Sequence, residues 1–245
     1  MRFKIVETIF FYDITNNPFK KELEKQYKDF LCADNEFHEE DIKINPNDLE
    51  ICKKELIRLK PDWTPFELES GALQFFIMNR VRPTQCMQLH SAVVTVDGKA
   101  FAFSGNSGIG KSTQAFLWLQ HFGKKAEILN GDHVFLKRSA IGWAVYSTPW
   151  KGKENIGGSG CAPLLAICFL AQGDKNRIRR INEKEAVPRI LEQVDFPKNA
   201  DDMDLQLQLI DKVVKEVPCY FLECTISDEA VRVAYKEMSK KTPEK

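Results

Sequence analysis

The chain has 245 residues, 43% of them hydrophobic, which suffices for one sizeable core or for a main domain with a smaller companion. Basic and acidic residues both number 35, so the formal net charge is zero and the basic excess typical of DNA- or RNA-binding proteins is missing. The cysteines are odd in number and scattered, which argues against a disulfide or zinc framework. The charged N-terminus argues against a signal sequence, and the lack of a long apolar run argues against a membrane partner. We therefore expect a cytoplasmic protein.

Residues 1–84 are expected to form a small N-terminal α/β portion, in which residues 5–12 are the best candidate for a strand. The segment Thr64-Pro65-Phe66-Glu67 is a capping box with proline at the first helical position, and it predicts a helix to about Asn79. Its apolar face would contain Phe66, Leu73, Phe76 and Ile77. A soft boundary near residue 84 separates this portion from a main domain, residues 85–240, and a polar tail, residues 241–245.

The main domain is predicted to begin with a β-hairpin. Residues 89–96 and 99–103 are apolar strands, and Asp97-Gly98 between them is a typical tight turn. The second strand leads into the glycine-rich motif at residues 105–112. In most proteins that contain such a motif, the strand before it belongs to a parallel sheet. The hairpin therefore predicts an α/β fold with a mixed, partly antiparallel sheet.

The glycine-rich motif is a complete G-x-x-x-x-G-K-[ST] phosphate-binding loop. Glycines let successive N–H groups point into one anion hole, and the N-terminus of the following helix adds positive charge. Lys111 is expected to hold the β- and γ-phosphates of ATP, and the Ser112 hydroxyl to ligate Mg²⁺. The helix is predicted over residues 112–122, with Gly123 as its end and Ala115, Phe116, Leu119 and Phe122 facing a core. The predicted nucleotide-binding residues are Gly105, Asn106, Ser107, Gly108, Ile109, Gly110, Lys111, Ser112 and Thr113.

A second motif follows the phosphate loop. Residues 126–132 are predicted to form an apolar strand ending in Asp132, an acid placed to order Mg²⁺, and a strand pair is expected around Gly142. The segment 148–160 then resembles an active-site loop: its glycines would make it mobile, and Trp150 would offer an apolar face to a second substrate. Lys151 and Lys153 in this loop are either ordinary solvated lysines or groups that neutralise a transferring phosphoryl group.

The remaining pattern continues the alternation of strands and helices. We predict strands at 164–170 and 219–224, a helix capped by Asn182, a helix at 205–217 and a final helix opened by Ser227. Arg177, Arg179 and Arg180 are interpreted as the solvated face of a strand. Cys161 is expected to pack in the interior rather than to act as a nucleophile, because no base is evident beside it.

These motifs together resemble the HPr kinase/phosphorylase family and the wider group with the phosphoenolpyruvate carboxykinase nucleotide fold. The matching pieces are Leu89-His90 before the loop, the loop itself and the short distance to Asp132. The segments 148–153, 162–164 and 176–186 look more like HPr-kinase-related proteins found beside peptide-modification genes. The resemblance covers roughly residues 70–235. It implies an ATP-dependent kinase acting on a serine-type hydroxyl of a protein, ribosomal peptide or small metabolite. It also implies that His90 belongs to the active site. Without the resemblance, His90 is interpreted as a core histidine whose hydrogen bonds are satisfied within the protein.

The chain departs from the family at its second motif. HPr kinases carry paired aspartates there, whereas residues 130–133 here are Asn-Gly-Asp-His with one acid. Either Asp132 serves both the metal and the proton, or His133 takes the place of the second acid, so the base remains open among Asp132, His133 and His90. No counterpart of the family's C-terminal signature loop is seen, so phosphorylase activity is not expected.

Two other functions compete with a kinase. A nucleotide-binding accessory protein, which binds or slowly hydrolyses ATP to control a partner, is favoured by the missing second acid. Phosphoenolpyruvate carboxykinase chemistry is disfavoured because the chain is far shorter than those enzymes. The sequence leaves open the identity of the acceptor, whether ATP, another nucleoside triphosphate or ADP is the donor, and whether the protein is a homo-oligomer.

Overall fold

The computed structural model of the chain describes residues 1–197 and 199–240, so the predicted tail 241–245 lies outside the described residues. The chain divides into two compact units, Met1–Pro83 and a second unit that begins at Thr84. The first unit contains a three-stranded sheet in the order β1-β2-β3, and three α-helices. Its elements are β1 (Arg2–Ile5), β2 (Thr8–Tyr12), α1 (Lys20–Tyr27), β3 (Ile42–Ile44), α2 (Pro46–Leu59) and α3 (Pro65–Val81).

The single strand predicted at residues 5–12 is wrong. The chain reverses direction after β1, with Val6 in the left-handed region at φ 58°, and β1 pairs antiparallel with β2. The apolar pattern runs through this turn without a glycine or proline to mark it, which is why the sequence reads as one strand.

The predicted capping box begins α3 as expected. The Glu67 N–H donates to Thr64 Oγ1 at 3.3 Å, and the Thr64 N–H donates to Glu67 Oε2 at 2.7 Å. Leu73, Phe76 and Ile77 are buried as predicted. The helix continues two residues beyond the predicted end, to Val81.

A buried carboxylate on α3 ties this unit together. Glu69 is 2% exposed and accepts hydrogen bonds from the Tyr12 hydroxyl at 2.6 Å and from Asn17 Nδ2 at 2.8 Å, and Lys53 Nζ lies 2.5 Å away. Burial alone would raise the pKa of Glu69, but the hydrogen bonds from Lys53, Tyr12 and Asn17 outweigh it and lower that pKa. The same burial, together with the Glu69 charge, raises the pKa of Tyr12.

Replacing Glu69 should therefore weaken the first unit in a pH-dependent way. We expect Glu69→Gln to lower the free energy of unfolding by about 2 kcal/mol near neutral pH, because buried partners lose a charged acceptor. A carboxyl whose folded pKa is depressed stabilises above its ordinary pKa of 4.5, and this stabilisation disappears as the pH falls through the folded value. Urea unfolding at about pH 7 and about pH 3 should show the difference between variant and wild type shrinking in acid.

The matched control is Glu50→Gln, which removes the exposed carboxylate on the same lysine. It should change stability by less than about 0.5 kcal/mol. Equal effects of the two substitutions would contradict a stabilising role for the buried group.

The elements of the second unit are β4 (Cys86–Val96), β5 (Lys99–Ser104), α4 (Lys111–Phe122), β6 (Ala126–Asn130), β7 (His133–Ser139), β8 (Gly142–Tyr146), β9 (Cys161–Gln172), β10 (Arg177–Ile181), α5 (Glu183–Leu191), α6 (Ala200–Glu216), β11 (Cys219–Cys224) and α7 (Asp228–Met238).

These strands form a mixed sheet. The strand order is β10-β11-β9-β5-β4-β7-β8, and β6 also pairs with β4. Because β8 also pairs with β9, the strands β4, β5, β9, β8 and β7 form a closed ring of pairings. The pairs β5–β9 and β9–β11 are parallel and the others antiparallel. The predicted mixed α/β class is confirmed.

The local signals of this unit are largely confirmed. The β4–β5 turn places Asp97 and Gly98 at φ 48° and 74°, as a tight hairpin requires. The Asn182 and Ser227 side chains cap α5 and α7. The arginines of β10 are exposed, as predicted. None of the helices in the described residues is long and apolar enough to cross a membrane.

Helices cover both faces of this sheet. The aromatic residues Phe101 and Phe103 of β5 pack with Trp118 of α4 and with α7, while Ala100 and Ala102 of the same strand face the cluster that includes α5 and α6. This alternation follows from the two-residue period of a strand.

Two expectations about packing are wrong. Phe116 is 41% exposed; Ala115 is buried and Leu119 and Phe122 pack against the core as predicted, and the fully buried Trp118 takes the place expected for Phe116. Cys161 is exposed, because it is the first residue of β9 and points away from the side on which Ala162 is buried.

Candidate active site

The glycine-rich loop connects β5 to α4 in a conformation that needs glycine. Gly105, Gly108 and Gly110 have φ values of 140°, 79° and 115°. A Cβ at Gly108 or Gly110 would meet nothing within 4 Å, so the backbone conformation rather than crowding requires glycine there. The loop ends at the first residue of α4, where helical N–H groups have no partner within the helix. Such a helix terminus is suited to an anion.

Lys111 is the first residue of α4 and is held inside the loop. Its side chain is mostly buried, and Nζ donates to the carbonyls of Gly105 at 2.9 Å and Asn106 at 3.3 Å. Burial lowers the pKa of Lys111, while the charges of Asp132 and Glu154 act in the opposite direction. The lysine is therefore within electrostatic reach of Asp132. Ser112 and Thr113 follow it, half-buried on the first turn.

The hairpin brings His90 beside the start of the loop. Ser91 pairs with Ser104, the residue before Gly105, and the Ser104 hydroxyl donates to the His90 carbonyl at 2.8 Å. The Ser91 hydroxyl donates to the Phe103 carbonyl at 3.0 Å. Both serines are fully buried. Sequence reasoning missed them, because a serine near a strand end carries no signal of its own.

Asp132 lies between two strands that both pair with β4. In the β4–β6 pair, Val93 is opposite Asn130, and a register shift beside Val93 leaves Leu129 as an extra residue of β6. In the β4–β7 pair, His90 is opposite His133. The Ser91 N–H donates to the Asp132 carbonyl at 2.6 Å. Bulges of this kind redirect side chains near active sites. Here the register places Asp132 and both histidines together.

The three side chains form a continuous His–Asp–His cluster. His90 Nε2 lies 2.8 Å from Asp132 Oδ1, and His133 Nδ1 lies 2.9 Å from Asp132 Oδ2. The two imidazole rings are stacked, with centroids 5.0 Å apart. All three side chains are between 24% and 29% exposed. They are accessible to a substrate without being fully solvated.

The electrostatics of the cluster decide where its protons lie. Burial would raise the pKa of Asp132, but hydrogen bonds from His133 and His90, and their charges, outweigh it and lower that pKa. An ionised carboxylate only accepts hydrogen bonds, so the two bonded ring nitrogens carry the protons. When a ring is neutral, its other nitrogen, Nε2 of His133 or Nδ1 of His90, is left as an acceptor.

The segment 148–160 is tied to this cluster by its backbone. The His133 N–H donates to the Trp150 carbonyl at 3.2 Å, the Gly131 N–H donates to the Ile156 carbonyl at 3.1 Å, and the Thr148 hydroxyl donates to the His133 carbonyl at 2.6 Å. Trp150 is 6% exposed, so the expectation that it offers an open apolar face is wrong. Lys151 is buried beside this junction, whereas Lys153 is exposed.

Asn130 opens the motif in which HPr kinases carry paired aspartates, and here it is part of the scaffold. It is fully buried; its Oδ1 accepts from the Asp132 N–H at 2.8 Å and its Nδ2 donates to the Thr148 carbonyl at 2.9 Å. The amide thus connects Asp132 to the segment 148–160. An Asn two residues before an Asp, with glycine between, is a sequence signal for this turn that could have revealed the role.

Close packing explains the glycines of this region better than mobility does. A Cβ at Gly131 would lie 2.6 Å from Ile156 Cγ1, and one at Gly152 would lie 3.0 Å from Asp132 Cβ. At Gly157 a Cβ would lie 2.6 Å from the Leu129 carbonyl oxygen and 2.8 Å from Asn130 Cα. The segment can approach the Asp132 turn only because these positions lack side chains.

Gly157→Ala should consequently damage both stability and the site. Its φ of 118° and the contact with a backbone carbonyl both oppose a side chain, so we expect about 2–4 kcal/mol of destabilisation. The neighbouring Gly158→Ala is the matched control, since a Cβ there meets nothing within 4 Å and its φ lies outside the left-handed region. Thermal unfolding of both variants measures the difference. Indistinguishable midpoints would refute the close approach of this segment.

Within residues 1–197 and 199–240, no group of three or more His, Cys, Asp or Glu side chains is arranged to hold a metal ion by itself. A Mg²⁺ site beside a phosphate loop does not need such a group, because it combines one or two protein oxygens with phosphate oxygens and water. Ser112 and Asp132 carry oxygen donors of the kind that Mg²⁺ prefers.

A family model described as "ScmC: SynChlorMet cassette protein ScmC" matches residues 60–231, well over half of the chain. The chain belongs to the ScmC family. The matched part of this ScmC-family protein contains the glycine-rich loop, the His–Asp–His cluster and the segment 148–160. No curated protein matches the chain. Among solved structures, a similar one is the Hpr(Ser) kinase/phosphatase from Coxiella burnetii, with 10% identity and a TM-score of 0.37 over 62% of this chain and 99% of that one.

Proposed function

We propose that this ScmC-family protein is an ATP- and Mg²⁺-dependent kinase that transfers a phosphoryl group to a hydroxyl, on a P-loop core of the HPr kinase and phosphoenolpyruvate carboxykinase type. One observation carries the proposal. The phosphate-type loop at the end of β5 lies against the strand that bears His90, in the same site as Asp132 and His133. Phosphoryl transfer needs mainly positioning and charge stabilisation, which the loop and the neighbouring His–Asp–His cluster can supply.

The nucleotide would be bound by the loop, residues 105–113. Its N–H groups and the N-terminus of α4 would face the phosphates, and Lys111 would exchange its two loop carbonyls for phosphate oxygens. The low solvent exposure of Lys111 strengthens the attraction between its ammonium group and the phosphates, because a buried ion pair is screened less than an exposed one.

Ser112 and Asp132 would hold Mg²⁺, which when bound supplies positive charge that neutralises the phosphate oxygens. A carboxylate has about four lone-pair sites. Asp132 can therefore keep both imidazole contacts and still offer an oxygen lone pair to a cation. The donor set fits a hard cation of this kind.

Among the three candidates for the base, we assign the role to His133. Its Nδ1 donates to Asp132, which leaves Nε2 as an acceptor held in a fixed orientation, the arrangement of a histidine base with an orienting carboxylate. Asp132 is then a positioning and metal-binding group, and His90 holds its second oxygen. The acceptor oxygen bonds to the γ-phosphorus, the bond from that phosphorus to ADP breaks, and the hydroxyl proton passes to His133 Nε2.

Lys151 is proposed to add positive charge beside the Asp132 turn. It is buried at the junction where residues 148–160 meet the Asp132 turn. A lysine that stabilises the charge developing on the phosphoryl group during transfer should affect the rate of transfer more than nucleotide affinity. Lys153 is exposed and is given no role.

A regulatory nucleotide-binding protein is the second candidate. The supporting observation is that residues 130–133 contain one acid where HPr kinases carry two, and that the Asn130 amide is fully used in the scaffold. Such a protein would bind ATP in the same loop and hydrolyse it slowly, with no acceptor.

The two functions are separated by the fate of the γ-phosphoryl group. Purified protein is incubated with γ-labelled ATP and cell extract, and label is followed in acceptors and in free phosphate. A kinase transfers label to an acceptor, and the protein with Lys111→Ala does not. Label found only in free phosphate, at equal rates with and without extract, would overturn the kinase and support the regulatory protein.

A further inference from the structure

A small cavity lies beside the two imidazoles. It has a volume of about 110 Å³ and is lined on one side by Gln88, His90 and His133 of β4 and β7, and on the other by the segment that follows α5. The His90 N–H donates to the Gln193 carbonyl at 2.9 Å, which holds that segment against β4. At roughly 30 Å³ per water molecule, the volume suits a group of a few non-hydrogen atoms.

Two buried glutamine side chains at this cavity have polar atoms without hydrogen-bond partners in the described residues. Gln88 is 3% exposed and Gln193 is 6% exposed. Neither polar atom of the Gln88 amide, nor the Gln193 amide oxygen, has a partner among residues 1–197 and 199–240. Buried amides are normally satisfied, so unpaired ones in a polar cavity indicate that something else binds there.

The cavity offers more acceptors than donors. The acceptors are the amide oxygens of Gln88 and Gln193 and the free ring nitrogens of the two histidines, whereas Gln88 Nε2 is the one unpaired amide donor identified in the described lining. Glu192 and Asp195 add two exposed carboxylates, and none of the described lining residues is Lys or Arg. A group with several N–H or O–H donors and a positive charge complements this surface.

We propose that the cavity is the acceptor subsite and that it takes a hydroxylated amine, a molecule whose hydroxyl lies a few bonds from an ammonium group. This inference rests on the proposed kinase function. The hydroxyl faces His133 Nε2, and the ammonium group faces Gln193, Glu192 and Asp195. A carboxylate close to the hydroxyl is repelled by the two acids, so anionic acceptors are excluded from this subsite.

Three small probes of similar size test the charge preference. They are 2-aminoethanol, ethane-1,2-diol and glycolate, titrated by NMR into the full-length protein with a non-hydrolysable ATP analogue and Mg²⁺. We expect 2-aminoethanol to bind most tightly and glycolate not to bind. An exposed ion pair contributes up to about fivefold in affinity. Glu192→Gln combined with Asp195→Asn removes two such pairs and should therefore reduce the preference for the amine over the diol by about two- to 25-fold.

The matched control is Asp174→Asn, which removes an exposed acid outside the cavity and should leave the preference unchanged. Equal binding of the three probes, a preference unaffected by the double variant, or binding of none of them, which would mean ordered water only, overturns the subsite. Affinity for the ATP analogue is measured in the same samples. Loss of nucleotide binding in the wild-type protein refutes the kinase, whereas intact nucleotide binding and transfer with failed probes refutes the subsite alone.

Discussion

Lys111→Ala is expected to abolish turnover and to weaken ATP binding by about 30- to 1,000-fold while the fold is retained. Hydrogen bonds to charged groups contribute about 1.5–3 kcal/mol each, and the lysine would make one or two of them with phosphate oxygens. Its present partners are loop carbonyls rather than core residues, so its loss should alter the melting temperature little. Titration with a fluorescent ATP analogue and thermal unfolding monitor the two quantities.

The matched control is Lys153→Ala, which removes an exposed lysine from a neighbouring segment. It should leave nucleotide affinity within about threefold, as expected for a solvated charge that contributes little. Undiminished catalysis in a folded Lys111→Ala protein would remove the nucleotide site from this loop. Equal losses in both variants would instead show that general positive charge, not the loop lysine, attracts the nucleotide.

The features that the sequence predicts well are local ones. The glycine loop, the Asp97-Gly98 turn and the caps at Thr64, Asn182 and Ser227 depend on residues within a few positions of each other. Each follows from backbone sterics or from a short side-chain hydrogen bond, and so it can be recognised without knowledge of the fold.

The joint geometry of the His–Asp–His cluster depends on strand register, which no short segment contains. His90 and His133 meet because β4 and β7 pair antiparallel at that position, after a bulge at Leu129 shifts the register. The bulge has no glycine or proline to signal it. Sequence reasoning therefore selects the three residues from motif spacing but leaves their separate roles open.

Burial that depends on tertiary contacts is equally hidden. Trp150 is expected to be exposed because it lies in a glycine-rich segment, but it is buried, since its backbone is hydrogen-bonded to β7. Cys161 is expected to be buried, but it is exposed, because the alternation of side chains along β9 directs it outward. The cavity beyond His133 depends on Gln193, from a segment with no recognisable motif.

His133→Ala is expected to lower the rate of phosphoryl transfer by about 10²- to 10⁴-fold, the range typical of a positioned general base. Nucleotide affinity should change little, because the imidazole contacts Asp132 and the acceptor cavity rather than the loop. Transfer rates and nucleotide titrations measure both effects, and His38→Ala, a histidine of the first unit, is the matched control.

Asp132→Asn tests the other half of the assignment. It should lower the rate by at least about 10²-fold, because the amide no longer orients His133 as an ionised carboxylate does. It should also raise the Mg²⁺ concentration needed for half-maximal transfer, which His133→Ala should not do, since Asp132 and not His133 is assigned to the metal. If Asp132→Asn alone stops transfer while His133→Ala retains the rate, the carboxylate is the base and the histidine merely positions it.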